Sequence, residues 1–348
     1  MVEHHGAVTI GRRSWVWRLL LGAVLLGGPA VHFRGDIRKK WDIVHKAVER
    51  TAPYDLAVCR CRPDRNVTLT GADGLHTGAS LFGLDGDRLK PGIVLVHGNT
   101  PKGRKLPVYR LLATKLAEEG YVVLTFDCAG FGESDSPFEK GTIEALKCAP
   151  DARAAIDYLS QLPQVDSANL AIVGHSAGAT VAIDAGLVDP RLDAMVAMSA
   201  PRLSVEELED PKTRRFFRNF FLRRVWEVYH RDPPPWLTYD VWLTYHERDD
   251  LRYRMPFLLK PGHKPVFFMD GQLESPRELA WLRERYDSIP PPKGYFIVPN
   301  AHHFLNTTDL GFNGTVLYDR RVIAASVGAI DDWLDAIFGN NGFTPVAR

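Results

Sequence analysis

Ser176 stands between two glycines in Gly174-His175-Ser176-Ala177-Gly178, directly after the apolar run Leu170-Ala171-Ile172-Val173. A G-x-S-x-G sequence ending a short apolar run, followed by small helix-forming residues at 179–187, reads as strand, sharp turn and helix. Such a turn strains the serine backbone, and side chains at the glycine positions would collide with the adjoining strand and helix. The hydroxyl is thereby held clear of the sheet, where it can attack a carbonyl carbon once a base removes its proton. The pentapeptide also recurs by chance in glycine-rich turns. The chemistry therefore needs partners: a base, a carboxylate to orient it, and donors for the oxyanion.

Candidates for each partner lie at the ends of other expected strands. Upstream, Gly92-Ile93-Val94-Leu95-Val96 reads as a buried parallel strand and ends in His97-Gly98-Asn99-Thr100. Downstream, Pro265-Val266-Phe267-Phe268-Met269 leads into Asp270-Gly271-Gln272-Leu273-Glu274, which offers two carboxylates. The run Tyr295-Phe296-Ile297-Val298 leads into Pro299-Asn300-Ala301-His302-His303-Phe304, which offers two histidines, at least one of them an ordinary loop residue.

The order of serine, carboxylate and histidine, with a His-Gly turn upstream, resembles the α/β-hydrolases of the serine esterase type, and is similar to the dienelactone hydrolase and prolyl-oligopeptidase-like branches. Two more stretches carry the resemblance. Asp127-Cys128-Ala129-Gly130-Phe131-Gly132-Glu133-Ser134-Asp135 resembles the D-x-x-G-x-G-x-S turn after the fourth strand, and 151–159 resembles the helix that leads into the nucleophile strand. The likeness spans roughly 66–338. It implies an α/β fold, with a mostly parallel eight-stranded sheet, helices on both faces and a helical cap insertion. It makes Ser176 the nucleophile. The acid three residues after a strand-ending glycine is Glu274, with Asp270 as the alternative. The histidine between a small residue and an aromatic aligns best with His303, with His302 as the alternative. The backbone N–H groups of Asn99 and Ala177 would form the oxyanion hole. Asp127 and Asp135 are expected to hold the loop at the mouth of the site. Haloalkane dehalogenases, which require Asp where Ser176 stands, are set aside.

Composition narrows the remaining classes. With 348 residues, 45% apolar and 24% charged, the chain can bury a large core, and one catalytic domain with an insertion fits it better than two independent domains. A net charge of +1 carries no nucleic-acid signature. No P-loop, paired C-x-x-C, HExxH or dinucleotide fingerprint is present, so neither cofactor nor metal is expected. Of four cysteines, Cys59 and Cys61 stand too close for an easy local disulfide, Cys128 and Cys148 bracket one loop and could pair, and unpaired thiols are the slightly favoured reading.

At the N-terminus, Arg12, Arg13 and Arg18 precede an uncharged run at 19–33, and Trp15, Val16 and Trp17 extend its apolar character. Residues 1–34 are expected to be a membrane anchor, short of the ~20 residues of a full span unless Arg18 snorkels, or a signal segment cleaved on export. A helical linker is expected at 35–65, the catalytic domain at 66–338 and a tail at 339–348. Strand–helix alternation breaks at 202–262, the expected cap, where Phe216, Phe217, Phe220, Phe221 and Val225 recur at helical spacing and basic residues crowd 212–231. That face would suit a membrane surface bearing anionic lipid. The expected function is ester hydrolysis on a small molecule with an apolar portion, through an acyl-enzyme. Thioesterase, amidase or peptidase activity on the same triad and a catalytically silent binding protein are the alternatives.

Overall fold

The computed structural model describes residues 55–141, 147–202, 210–229, 233–241, 250–310 and 314–340. The anchor or signal segment at 1–34, the linker up to residue 54 and the tail from 341 onward lie outside the described residues.

The uninterrupted apolar runs become the middle of an eight-stranded sheet. Strands β4 (Lys90–Val96), β5 (Val122–Phe126), β6 (Val165–His175), β7 (Ala194–Met198), β8 (Val266–Gly271) and β9 (Lys293–Val298) run parallel in the spatial order β5-β4-β6-β7-β8-β9. The opening hairpin, β2 (Arg65–Thr70) and β3 (His76–Phe82), adds two antiparallel strands beside β5. A parallel strand covered on both faces needs apolar side chains in both directions, which explains why these sequences do not alternate with polar residues.

Pleating sends neighbours along β4 to opposite layers. Ile93 and Leu95 join Leu111, Leu112 and Leu116 of α1 (Pro107–Glu118) and Ile330, Leu334 and Phe338 of α7 (Arg320–Asn340). Val94 and Val96 join Ile156 and Leu159 of α2 (Ala149–Ser160) and Ile183 of α3 (Ala177–Val188). All of these are essentially inaccessible, and each such side chain contributes roughly 1.5–3 kcal/mol by leaving water. The sheet is thus clamped from both sides, and the loops at the carboxyl ends of its strands inherit that rigidity.

Two expectations are corrected. Residues 56–60 do not continue a helical linker: they form β1 (Leu56–Arg60), which pairs antiparallel with β11 (Thr315–Asp319), itself paired with the short β10 (Thr308–Asp309). Pairing with a distant strand overrides the local reading of this segment. The cysteines are not free thiols. Cys128 is bonded to Cys148 and Cys59 to Cys61, with Cα separations of 5.1 and 5.5 Å, both inside the range a disulfide can bridge.

Between β7 and β8 the chain inserts α4 (Pro211–Tyr229) and the short α5 (Met255–Leu258). Phe221 and Val225 of α4 are buried with Phe138 and Leu237, against Trp236, Tyr239 and Val241. The helix also exposes Lys212, Arg214, Arg215, Arg218 and Arg223 together with Leu222 and Trp226. Among the described residues, no helix is long and apolar enough to cross a membrane.

Candidate active site

Strand β6 ends at His175 and α3 begins at Ala177, so Ser176 makes the whole turn by itself. Its backbone lies at φ 56° and ψ −127°, a conformation a non-glycine residue holds only when its surroundings enforce it. One restraint is the Ser176 N–H, which donates to Met198 O at the end of β7 at 2.8 Å. Close packing is another. A Cβ on Gly178 would stand 2.5 Å from Val96 O and 2.6 Å from His97 O, so only glycine lets α3 start this near the end of β4. The same applies to Gly98, where a Cβ would stand 2.7 Å from the Ser176 Cβ. The His-Gly turn therefore packs directly on the Ser176 turn. Asn99 follows Gly98, half-buried, and Ala177 occupies the first position of α3, where backbone N–H groups have no partner within the helix.

The structure separates the two carboxylates sharply. Asp270 closes its own circle: both its oxygens accept from the Arg202 guanidinium, at 2.7 and 2.9 Å, and Oδ2 also accepts from the Tyr295 hydroxyl at 3.0 Å. Asp270 and Arg202 are both buried, and burial pushes the Asp270 carboxyl upward while Arg202 pulls it down. Glu274, in contrast, reaches the histidine loop. Its Oε2 lies 3.2 Å from His303 Nδ1. Its Oε1 accepts from the Ser199 hydroxyl at 2.5 Å and from the Gly271 N–H at 2.8 Å. Burial opposes the charge on Glu274, but the hydrogen bonds from His303, Ser199 and Gly271 outweigh it and bring its pKa down to about 2. It is an anion at neutral pH.

Local sequence explains how Glu274 is held. Ser275 caps α6 (Pro276–Tyr286), accepting from the Glu278 N–H at 3.5 Å, and Pro276 supplies the fixed φ of a first helical turn. The Leu273 N–H donates to Ala301 O at 2.9 Å and the Asn300 N–H to Gln272 Oε1 at 2.9 Å, which staples the acid turn to the histidine loop. That loop is tight: Asn300, Leu305 and Asn306 all adopt positive φ, and the Asn306 amide donates to Asn300 O at 2.8 Å. His302 serves it through its backbone, its N–H donating to Asn306 Oδ1 at 3.0 Å; the ring paired with Glu274 is that of His303.

Three contributors escape a reading of the sequence. Ser199, at φ 49°, directs its N–H to Met269 O and its hydroxyl to Glu274; its only signal is a small polar residue ending an apolar strand. Tyr109 and His175 are buried beneath the elbow, and neither betrays its role locally. Asp127 and Asp135 sit where the loop needs them. Asp127 pairs with Arg104 and accepts from the Arg104 and Glu133 N–H groups, and Asp135 accepts from the His76 N–H. Among the described residues, no group of three or more His, Cys, Asp and Glu side chains could hold a metal ion.

Residues 93–314 match the Alpha/beta hydrolase family. The chain belongs to that family. It is 28% identical over 256 residues to Uncharacterized protein Rv2307c of Mycobacterium tuberculosis, a stretch covering 73% of this chain and 76% of that one. Its fold is similar to that of a soluble variant of monoglyceride lipase from Saccharomyces cerevisiae bound to a substrate analogue (TM-score 0.56, 17% identity, 82% of this chain and 98% of that one). It is also similar to Est1E of Butyrivibrio proteoclasticus with bound ferulic acid (TM-score 0.51, 18% identity, 78% of this chain and 99% of that one).

Proposed function

We propose that this α/β-hydrolase cleaves a carboxylic ester through an acyl-enzyme, with Ser176 as nucleophile, His303 as general base and Glu274 as its orienting acid. The observation that carries the reading is the Glu274–His303 contact, made at the same end of the sheet as the strained Ser176 elbow. His303 Nε2 takes the Ser176 hydroxyl proton as Oγ bonds to the ester carbonyl carbon. The carbonyl oxygen becomes an oxyanion that the Asn99 and Ala177 N–H groups stabilise, each such donor being worth roughly 3–4 kcal/mol. Collapse breaks the C–O bond, and the alcohol leaves with the proton from His303. Water then repeats the sequence on the acyl-serine and releases the acid. Because Nδ1 faces a Glu274 carboxylate that stays ionised at neutral pH, the imidazolium formed in each half-reaction is stabilised where it arises.

Leu273 and Phe304, the neighbours of Glu274 and His303, are 42% and 46% exposed, giving the rim of the site an apolar character. Ferulic acid in Est1E and a substrate analogue in monoglyceride lipase support an aromatic or acyl portion in the substrate here as well. Fluorophosphonate labelling of wild type and Ser176→Ala tests the reading, followed by turnover of a p-nitrophenyl ester series of increasing chain length. Labelling confined to wild type, with turnover of at least one ester, is the expected result. A folded wild type that neither labels nor turns over any ester would leave a silent binding protein on this fold.

A further inference from the structure

We propose that Tyr109 and His175 are positioning residues that lock the oxyanion loop and the histidine loop to the nucleophile elbow through one directional chain of hydrogen bonds. This rests on the hydrolase reading above. The chain starts at the Gly98 N–H, which donates to Tyr109 Oη at 2.7 Å. Tyr109 Oη lies 3.0 Å from His175 Nδ1, and His175 Nε2 lies 2.6 Å from the His303 carbonyl oxygen. Tyr109 and His175 are both fully buried, so no water competes for these groups.

Only one arrangement of protons satisfies every member. The Gly98 amide can only donate, so Oη accepts there. The His303 carbonyl can only accept, so His175 must carry a proton on Nε2. His175 is neutral: burial first, and the neighbouring His303 second, bring its pKa down to about 3. With its one proton on Nε2, its Nδ1 is an acceptor, and the Tyr109 hydroxyl hydrogen fills it. Burial also raises the Tyr109 pKa, which keeps that hydroxyl protonated.

The consequence is geometric. Gly98 precedes Asn99, one of the oxyanion donors, and His175 precedes Ser176. His303 is then held twice, by Glu274 at the ring and by His175 at the backbone, and its ring lies 4.7 Å from that of His175, centroid to centroid. A misplacement of about 1 Å in such a constellation slows the reaction on the order of 100-fold. The neutral state matters separately, because a charged His175 would oppose the imidazolium forming beside it.

The test compares Tyr109→Phe, His175→Phe and His175→Gln with wild type in the rate of Ser176 labelling and in kcat and KM on the best ester. Thermal melts confirm that each variant is folded. Tyr109→Phe and His175→Phe should lower kcat and the labelling rate by about 10- to 100-fold with KM within about threefold. His175→Gln, whose amide nitrogen can reach the place of Nε2, should recover most of the loss. Independently of activity, ¹⁵N-edited NMR of the wild type should show His175 in the Nε2–H tautomer across neutral pH. Folded Phe variants with unchanged rates, or an Nδ1–H tautomer, would overturn the positioning role while leaving the hydrolase intact. A wild type that does not label would overturn both.

Discussion

A neutral histidine directly before Ser176 makes the fold sensitive to acid, and the size of the effect follows from its environment. His175 titrates at about 3 in the folded protein against ~6.5 in an unfolded chain. Between those values the unfolded chain binds the extra proton, so this contribution is complete above pH 6.5 and is lost progressively as pH falls towards 3. At pH 4.5 the loss amounts to two pH units, about 3 kcal/mol. Asp151 works in the opposite direction. Burial pushes its pKa up to about 6, against hydrogen bonds from the Ala129 N–H and the Thr77 hydroxyl, so the folded state is the one that takes up its proton between about 6 and ~3.8. That gain reaches about 2 kcal/mol at pH 4.5. The two contributions oppose each other over this range, so the wild-type profile alone isolates neither. A difference measurement separates them. Urea unfolding of wild type and His175→Gln at pH 7.5 and 4.5, at constant ionic strength, should show the wild-type advantage shrinking by about 3 kcal/mol on acidification. Glu274, depressed to about 2, loses its own contribution only below ~4.5, outside this window. A wild-type advantage that changes by less than about 1 kcal/mol would refute a buried neutral His175.

Other expectations follow from the same geometry. Glu274→Gln should lower kcat by about 10³- to 10⁴-fold, because the orienting charge at His303 Nδ1 is gone, and should also cost stability at neutral pH, because the hydrogen bonds that depress its pKa favour the folded carboxylate. Asp270→Asn should spare the chemistry instead, losing about 3–5 kcal/mol in urea unfolding because buried Arg202 is left without its counter-charge, and keeping kcat within about tenfold. Reduction of Cys128–Cys148, which closes a loop with a sequence separation of 20, should lower stability by about 3 kcal/mol, read as a fall in urea midpoint. Cys59→Ser should change that midpoint far less, since its bond spans a separation of only two. On α4, Arg215→Glu with Arg218→Glu should weaken sedimentation with phosphatidylserine vesicles about fivefold per residue changed, at about 1 kcal/mol per basic side chain. Equal binding of the wild type to neutral and anionic vesicles would contradict a docking role for that helix.

What could be read from the sequence was whatever is written in neighbours along the chain. The apolar runs ending at Val96, Val173, Met198 and Met269 announce strands covered on both faces, and Gly174 and Gly178 announce the turn at Ser176. His303 could be ranked above His302 because the residues beside it complete a local pattern. By contrast, β1 could not be read, since Leu56–Arg60 owes its strand form to β11 near the other end of the chain. The cysteine pairs were misjudged for the same reason: nothing between Cys128 and Cys148 states that their Cα atoms lie 5.1 Å apart.

The choice between the two carboxylates shows where local reading stops. Asp270 and Glu274 share one turn, and spacing alone ranks them only weakly. What separates them physically is who else arrives. Arg202, contributed from beyond β7, and Tyr295, contributed from β9, converge on Asp270 and use both of its oxygens. Ser199 and the Gly271 N–H converge on one oxygen of Glu274 and leave the other facing His303. An acid that must orient an imidazole needs one oxygen anchored and one available, and only Glu274 meets that condition. Tyr109 and His175 repeat the lesson beneath the elbow, where each polar group takes its role from the partner already committed before it. A candidate acid or base can therefore be listed from its neighbours in sequence, but its role is assigned by the distant residues that use up the competing atoms.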